Sequence, residues 1–588
     1  MSRGLSFFVW LGMVWAVSGV AQAQQDSRVL SLYDRQSYEY IKQLQDRGHL
    51  LELHPTDMPY RYDELHEALE GVTEQEFSGV QAQWIRYLRD RIGLDATEKP
   101  VLDLRGGSYL QANNSERDHM YRPSDDIAYV WPMIELAPGI RYQGWVVQAH
   151  ARFEYYEDRN IDGLDAVNRF WVRNEETYAG FSNEFLEVYG GRVLNHWGVY
   201  GQSSGLLSDH SVSYDQVKIN VGTKHLQLSS VMGYLDNLKS DDVFNGDTRE
   251  DPMSVKRYLF AKRLDWRPRE HLMFSYRESL IFSGWDAVPQ PKYMLPGYIG
   301  FFQADNAPQN DFINYLTGIA FWGQFGGGRV DGDGFAKSGG GSRVSANSGD
   351  GSRVSAISGG GSQAGAKSST KSQSSSQNIL TVHTEVIIDD IIFFRERRGI
   401  DERSNFNVFF NAAYALSQRP LTLQLNAEMV SSQSYNTDQA QGRYLYLGRG
   451  LATQFNDYVF GEFRANLFLG GTWQGLRVSP YLGGLFQGEQ VIDKEFIGSP
   501  LSQKDKDPDE LEPVPDFVLS GVVQESFRAG VEWVYYSPVE RGWKKGWWLR
   551  GDVGLNVMRN LGNVVGNNQT RPVGMIELGV QFDFSLRD

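Results

Sequence analysis

Three acidic residues near the middle of the chain are the first candidates for chemistry. Glu385, Asp389 and Asp390 lie in the stretch 384–390, which reads TEVIIDD. Carboxylates this close could bind a cation or the hydroxyl groups of a sugar. In a strand, however, Glu385 and Asp389 share one face and Asp390 lies on the other. A site that uses all three needs a bulge or a strand end, so we predict no metal and no other cofactor.

A second group, Ser208, Asp209 and His210, has the residue types of a serine hydrolase. A catalytic triad is defined by its arrangement in space, and residues adjacent in the chain rarely reach that geometry. We therefore predict that the protein is not an enzyme.

Two charged residues, Arg263 and Glu278, lie in neighbouring segments that both have a strand-like pattern. Opposite charges on adjacent strands stabilise a sheet when they face each other. We expect a cross-strand ion pair here, with contact to a polar ligand as the alternative.

The last segment of the chain indicates the scaffold that must hold these residues. Over 574–584 apolar and polar residues alternate, so that one face suits lipid and the other suits water. The apolar face carries Ile576, Leu578, Val580, Phe582 and Phe584, and the polar face carries Glu577, Gln581 and Asp583. A soluble sheet can alternate in the same way. A last strand with an aromatic end also suits recognition by the barrel-insertion machinery, although residues 585–588 extend beyond it.

The same alternation recurs at 147–155, 421–429 and 549–557. So many strands with charges on one face and aliphatic residues on the other favour a water-filled lumen inside a lipid-facing wall. On the order of 430 residues remain for strands, which at about 10 residues per strand plus loops gives about 16 to 18 strands. We predict an all-β transmembrane protein, a closed antiparallel outer-membrane β-barrel, in which the terminal strand pairs with the first strand near 101–111.

The N-terminus indicates export. Arg3, an apolar stretch and then Ala-Gln-Ala at 21–23 predict a signal peptide over 1–23. The 588 residues contain no cysteine, which excludes disulfides and a lipid anchor. No later apolar run approaches the roughly 20 residues of a spanning helix, so a membrane location requires a barrel. We expect the bacterial outer membrane.

Helical spacing marks the region before the strands. One helix follows Asp34 and stops at Gly48, a second covers 62–69, and a third opens at a capping box, 73–76, and ends at Gly93. We predict a small periplasmic helical bundle over 24–97 that docks on the barrel domain, 98–588.

A Gly/Ser-rich insert, 326–378, interrupts the barrel domain and contains three ten-residue repeats starting at Ser338, Ser348 and Ser358. Its composition predicts disorder. A calcium-binding repeat array is the alternative, but the period is wrong and only Asp350 stands at a ligand position. Long barrel loops are usually extracellular, yet the strand count leaves the side of this insert open.

Composition narrows the class of partner. Aromatic residues make up 13% of the chain, as interface girdles require, and mean hydropathy is −0.43. The net charge of −16 argues against nucleic acid.

Short motifs along the strands resemble those of the Wzi family of capsule-assembly outer-membrane proteins. They are GR at 191–192, WG at 197–198, GLLSD at 205–209, AKRLDWRP at 261–268, FSYRE at 274–278, YMLP at 293–296, NYLTG at 314–318 and TEVIIDD at 384–390. The resemblance spans nearly the whole mature chain.

The resemblance implies a barrel of about 18 strands with a periplasmic helical bundle, and a role in attaching capsular or extracellular polysaccharide to the cell surface. Polysaccharide and outer-membrane lipid are then the expected partners of a monomer. Polar residues matched to the family become candidates for polysaccharide contact: Arg192, Trp197, Asp209, Arg263, Glu278, Glu385, Asp389 and Asp390. A diffusion channel for small solutes or sugars is the alternative function, and an outer-membrane enzyme is a third. Which polymer is bound, and whether the lumen is open or plugged, stay undecided at this stage.

Overall fold

The computed structural model describes about two thirds of the chain. The described residues are 26–72, 77, 79–92, 100–114, 129–154, 171–238, 255–285, 287–296, 298, 311–326, 378–389, 405–416, 419–437, 439–494, 515–538 and 544–586. The predicted signal peptide, the interior of the Gly/Ser-rich insert, the capping box at 73–76 and Asp390 lie outside these residues.

Three helices precede the strands: α1 Arg35–Gln45, α2 Tyr62–Glu70 and α3 Val80–Ile92. Asp34 caps α1, since its side chain accepts a hydrogen bond from Ser37 N at 3.2 Å. Gly48 ends this region with a φ of +79°, a conformation that favours glycine. The third helix begins later than the sequence pattern predicts, because Gly79 forms a turn immediately before it.

The strands follow in one long series. They are β1 Val101–Asn113, β2 Tyr129–Tyr142, β3 Trp145–Gln148, β4 Ala151–Glu154, β5 Trp171–Asn174, β6 Tyr178–Ser182, β7 Leu186–Arg192, β8 Asp215–Gly222, β9 Leu226–Tyr234, β10 Lys256–Arg269, β11 Leu272–Gly284, β12 Asp311–Gly326, β13 Ile379–Asp389, β14 Asn405–Leu416, β15 Leu421–Val430, β16 Leu445–Tyr446, β17 Arg449–Gly450, β18 Tyr458–Phe468, β19 Leu476–Gln487, β20 Gln524–Tyr536, β21 Lys544–Arg559 and β22 Gln569–Leu586.

Within the described residues these strands form a closed 18-stranded antiparallel barrel. β3 with β4, and β5 with β6, are each the two halves of one interrupted strand, since β2 pairs with both β3 and β4. β16 and β17 form a separate ribbon inside a loop. The barrel closes where β22 pairs with β1, from Leu102 opposite Leu586 to Asn113 opposite Met575. The predicted barrel fold is confirmed, and the predicted strand at 147–155 is instead broken at 149–150.

The two faces of the wall separate as the alternation requires. On β22 the outward Ile576, Leu578 and Val580 are about half exposed, whereas the inward Glu577 and Asp583 are buried. The outward face is therefore an apolar band and the lumen is polar. Among the described residues, no helix has both the length and the apolar character needed to cross a bilayer.

The barrel has two unlike ends. At the termini end, where β1 begins and β22 ends, connections such as 143–144, 223–225 and 270–271 are short. At the far end most connections are long, for example 193–214, 431–457 and 488–523. The insert is the exception, because its flanking residues Gly326 and Ile379 pair with each other at the termini end. The strand order thus decides which end of the barrel the insert leaves.

Substitution of the outward-facing Leu578 by arginine should destabilise the barrel by about 2–4 kcal/mol, because it places a charge on the lipid-facing band. Val565, 77% exposed in the far-end turn, offers a matched control that should change stability little when it becomes arginine. Urea titration of the protein folded in lipid vesicles, followed by tryptophan fluorescence, measures both. Equal loss in the two variants would contradict the assignment of the lipid-facing wall.

Candidate functional site

The N-terminal region lies inside the termini end of the barrel. His54 Nε2 is 3.1 Å from Asp265 Oδ2, and Arg263 donates to Thr56 O at 2.6 Å. On the opposite wall, Glu39 pairs with Arg477. The helices therefore dock within the lumen and contact strands around its circumference, including β7, β8, β10, β12, β15, β19 and β22.

Two far-end loops fold into the lumen, toward the N-terminal region. The inner loop, 193–214, pairs with the N-terminal region through His196 N, which donates to Met58 O at 3.1 Å. The covering loop, 431–457, lies on the inner loop, since Tyr435 donates through its hydroxyl to Gly205 O at 2.7 Å. A Cβ at Gly205 would lie 2.3 Å from Ile387 Cγ1, so this close approach to β13 requires glycine.

A charged network joins these segments to the wall at the centre of the barrel. Arg277 Nη1 donates to Glu385 Oε1 at 2.6 Å and to Trp197 O at 2.5 Å, and Glu385 accepts from Gly205 N at 2.8 Å. Arg263, Arg277 and Glu385 are all fully buried. Removing one partner of such a pair typically destabilises a protein by about 3–5 kcal/mol. The central network therefore locks wall and loop together.

Most predicted site residues lie in or beside this network. Trp197 is fully buried 5.5 Å from the guanidinium of Arg263, and Asp389 accepts from Tyr435 N at 2.6 Å. Arg192 forms a partly exposed ion pair of 2.9 Å with Asp215. In the structure these residues hold segments of the protein together. Within the described chain, no group of three or more His, Asp or Glu side chains is arranged to hold a metal ion.

The expected pairing of Arg263 with Glu278 is wrong by one residue. In the observed register Lys262 stands opposite Glu278, 3.3 Å away, and Arg263 stands opposite Arg277. Because side chains alternate, this shift puts Glu278 on the outward face and Arg263 in the lumen.

An open polar space remains on the other side of the lumen. This cavity has a volume of about 530 Å³ and lies between α1, the inner loop and the arc of strands from β15 to β21, with β4 and β5. Solvent reaches it, since the side chain of Arg35 on its lining is 46% exposed. Of the predicted site residues that the structure describes, Asp209 alone lines it.

A cluster of arginines and acids dominates the cavity wall. Glu532 pairs with Arg464 at 2.5 Å, with Arg550 at 3.4 Å and with Arg477. The guanidinium of Arg464 also lies 4.8 Å from the ring centre of Tyr481. Guanidinium groups and the aromatic ring of Tyr481 thus line one wall of the cavity.

Sequence reasoning missed this cluster because its residues are scattered over four strands. The alternation of 549–557 did place Arg550 on the polar face. Nothing in the sequence showed which polar positions would stay uncovered after the loops fold inward.

One predicted residue, Asp209, holds the inner loop at the edge of the cavity. Its Oδ1 lies 3.0 Å from Nδ1 of the buried His196. Burial opposes charge on His196, but the Asp209 carboxylate outweighs burial and raises the pKa of His196 above its ordinary 6.5. Burial likewise opposes ionisation of Asp209, yet the charged His196 lowers the pKa of Asp209 below its usual range.

No protein-family model matches the sequence, and no curated protein matches it either. Solved structures match the fold. Wzi of Escherichia coli, an outer-membrane protein involved in group 1 capsule assembly and described as a carbohydrate-binding β-barrel, aligns with a TM-score of 0.55 and 12% identity, over 94% of this chain and 99% of its own. The chain is a bacterial outer-membrane β-barrel protein.

Two Pseudomonas aeruginosa outer-membrane proteins are also similar. OpdK aligns with a TM-score of 0.41 and 11% identity over 83% of this chain and 100% of its own. OprD aligns with a TM-score of 0.40 and 11% identity over 84% and 96%. Outer-membrane barrels in general have short periplasmic turns and long extracellular loops, so the termini end is periplasmic and the far end extracellular.

Replacing Asp209 with asparagine should loosen the inner loop, because His196 loses its charged partner. Since Asp209 is one-third exposed, we expect a loss of about 1 kcal/mol, or about fivefold faster amide hydrogen exchange in 193–214. In the wild type, the protection from this pair is complete between about pH 4, above the ordinary pKa of 3.8 of an Asp carboxyl group, and pH 6.5, and it is lost as the pH rises through the raised pKa of His196.

Glu525→Gln is the matched control, because it breaks an exposed pair with Arg559 that lies outside the inner loop and should change exchange in 193–214 little. A wild-type loop whose exchange shows no such pH dependence, beyond the intrinsic effect of pH, would contradict the assigned role of His196.

Proposed function

We propose that this protein binds capsular or extracellular polysaccharide at the cell surface and helps to attach or assemble it there, without catalysing a reaction. The observation that carries this proposal is the occlusion of the lumen. In the described structure the N-terminal region enters from the periplasmic end and two loops enter from the extracellular end, and they meet at Met58 and His196. A barrel closed in this way is suited to holding a ligand more than to passing solutes.

The lining of the cavity fits a carbohydrate. Aromatic faces stack on the apolar faces of sugar rings, and charged planar groups bind hydroxyl groups through strong hydrogen bonds. The ring centre of Tyr481 lies 4.8 Å from the guanidinium of Arg464 and 5.3 Å from that of Arg528. Tyr458, which also lines the cavity, donates to Glu428 at 2.6 Å. Membership of the Wzi family, which the sequence motifs suggest, is part of this proposal.

A diffusion channel is the alternative, and the charged groups along the cavity wall are the feature that favours it. The lining carries Arg152, Arg173, Arg464, Arg477 and Arg550 beside Glu154, Glu462, Glu532 and Asp552. A water-filled path between α1 and this wall would conduct ions.

Conductance separates the two functions. The full-length protein in a planar lipid bilayer should give no large, steady single-channel steps, because ion pairs such as Arg91 with Asp583 and Glu39 with Arg477 fix the N-terminal region to the barrel. Steady, large conductance steps from the wild-type protein would contradict the proposal and support the diffusion channel instead.

Arg464→Ala should weaken binding of polysaccharide purified from the source cells about tenfold, because it removes a charged fork and the cation beside Tyr481. Arg559→Ala is the matched control, since that side chain is 65% exposed and lies away from the cavity. Binding to the purified full chain and the cell-attached fraction of polymer are the measurements. A folded Arg464→Ala protein that binds as tightly as wild type would contradict the assigned site.

A further inference from the structure

The outward face of β10, β11 and β12 changes character halfway along the strands. Nearer the periplasm, Trp266, Phe274 and Ile319 are 55%, 42% and 63% exposed, as in the rest of the lipid-facing band. Nearer the cell exterior, side chains on the same face are at most 8% exposed: Tyr258, Phe260, Leu280, Phe282 and Tyr315. This upper sector of the wall is covered by protein.

The cover is part of the connection between β11 and β12, which we call the outer strap and which comprises residues 287–296 and Tyr298. Tyr293 packs its ring 5.3 Å from Phe260 and 5.8 Å from Phe282. Ser230 on β9 donates to Met294 O at 2.9 Å. The outer strap therefore lies on the outside of the barrel, against four strands.

Beneath the strap lies the ion pair of Lys262 and Glu278. Both side chains are on the outward face, where hydrocarbon would strongly disfavour charge. Lys262 Nζ donates to Leu295 O at 3.2 Å and to Tyr298 O. The backbone of the strap thus supplies the polar partners that lipid could not, and this fixes the strap at the depth of the outer leaflet.

The strap presents a mixed surface of its own. Val288 and Leu295 are 62% and 59% exposed, and Pro291 and Pro296 are also exposed. Between them, the exposed Lys292 places its Nζ 5.0 Å from the ring centre of Tyr293. The strap extends the apolar band toward the cell exterior. The backbone oxygen of Leu295 accepts a hydrogen bond from Lys262, which follows the exposed Leu264 on the same outward face of β10.

We propose that the outer strap binds the phosphorylated glycolipid of the outer leaflet, with an acyl chain against Leu295 and a phosphate group at Lys292. Two observations select this occupant. The exposed Leu295 is continuous with the lipid-facing wall. Lys292 lies on the extracellular side of Leu295, because its neighbour Tyr293 packs on Phe260 and Phe282, which are nearer the cell exterior than Lys262. An anionic headgroup lies on that side of the acyl chains. The inference does not depend on the proposed function of the cavity.

Native mass spectrometry of the full chain in detergent, with added bisphosphorylated lipid A or its dephosphorylated form as probes, tests the proposal. The wild type should retain the bisphosphorylated form preferentially, and Lys292→Glu should reduce that retention about tenfold, because a charge-assisted contact is lost and reversed. Lys292→Gln should give a smaller loss. Lys224→Glu is the matched control, because Lys224 is 54% exposed at a periplasmic turn and should not change retention.

Equal retention of the two glycolipids by the wild type would overturn the proposal, and so would an equal loss in Lys292→Glu and Lys224→Glu. A dimer of the wild type that Lys292→Glu converts to monomer, with no glycolipid preference, would instead identify a second copy of this chain as the occupant. Heat-modifiable migration in gel electrophoresis shows that each variant keeps a folded barrel.

Discussion

The structure depends on one constraint: charged side chains that point into the barrel must find partners there, because the filled lumen leaves little bulk water to solvate them. Arg277 meets this constraint for three parts of the chain at once. It binds Glu385 on the wall and the Trp197 carbonyl of the inner loop, and lies 3.3 Å from Thr56 Oγ1 of the N-terminal region. Removing such a buried partner costs about 3–5 kcal/mol, so wall, loop and N-terminal region hold one another in place.

The cavity lies outside this central network, on the other side of the lumen. Along β15 to β21 no described loop fills the space between α1 and the wall, and the arginines and acids there pair among themselves while still facing solvent. Glu532 is shared by Arg464, Arg477 and Arg550, and Glu462 and Glu39 add a second carboxylate to Arg464 and Arg477, which keeps several guanidinium groups together on one surface.

Charged side chains on the outside of the wall also need partners, and there the outer strap provides them. Lipid offers no hydrogen bonds, so the outward pair of Lys262 and Glu278 persists only because the outer strap covers it with backbone carbonyl groups. Two neighbouring sequence motifs, 261–268 and 274–278, thus contain residues that lie on opposite faces of the wall. Arg263 enters the central network, whereas Glu278, a neighbour in the expected pairing, belongs to the membrane-facing side of the molecule.

By itself the sequence determined the barrel class, and with it the closure of β22 on β1. It also determined the helical character of the segments that follow Asp34, cover 62–69 and precede Gly93, and the polar and apolar faces of strands such as β22. These follow from periodicity, which each segment carries independently. Tertiary structure alone decided the register of β10 against β11, the side from which the insert leaves, the inward course of 193–214 and 431–457, and hence the cavity. A shift of one residue reverses every face, and the path of a loop depends on contacts with residues far away in the chain, such as Gly205 with Ile387, which no local pattern encodes.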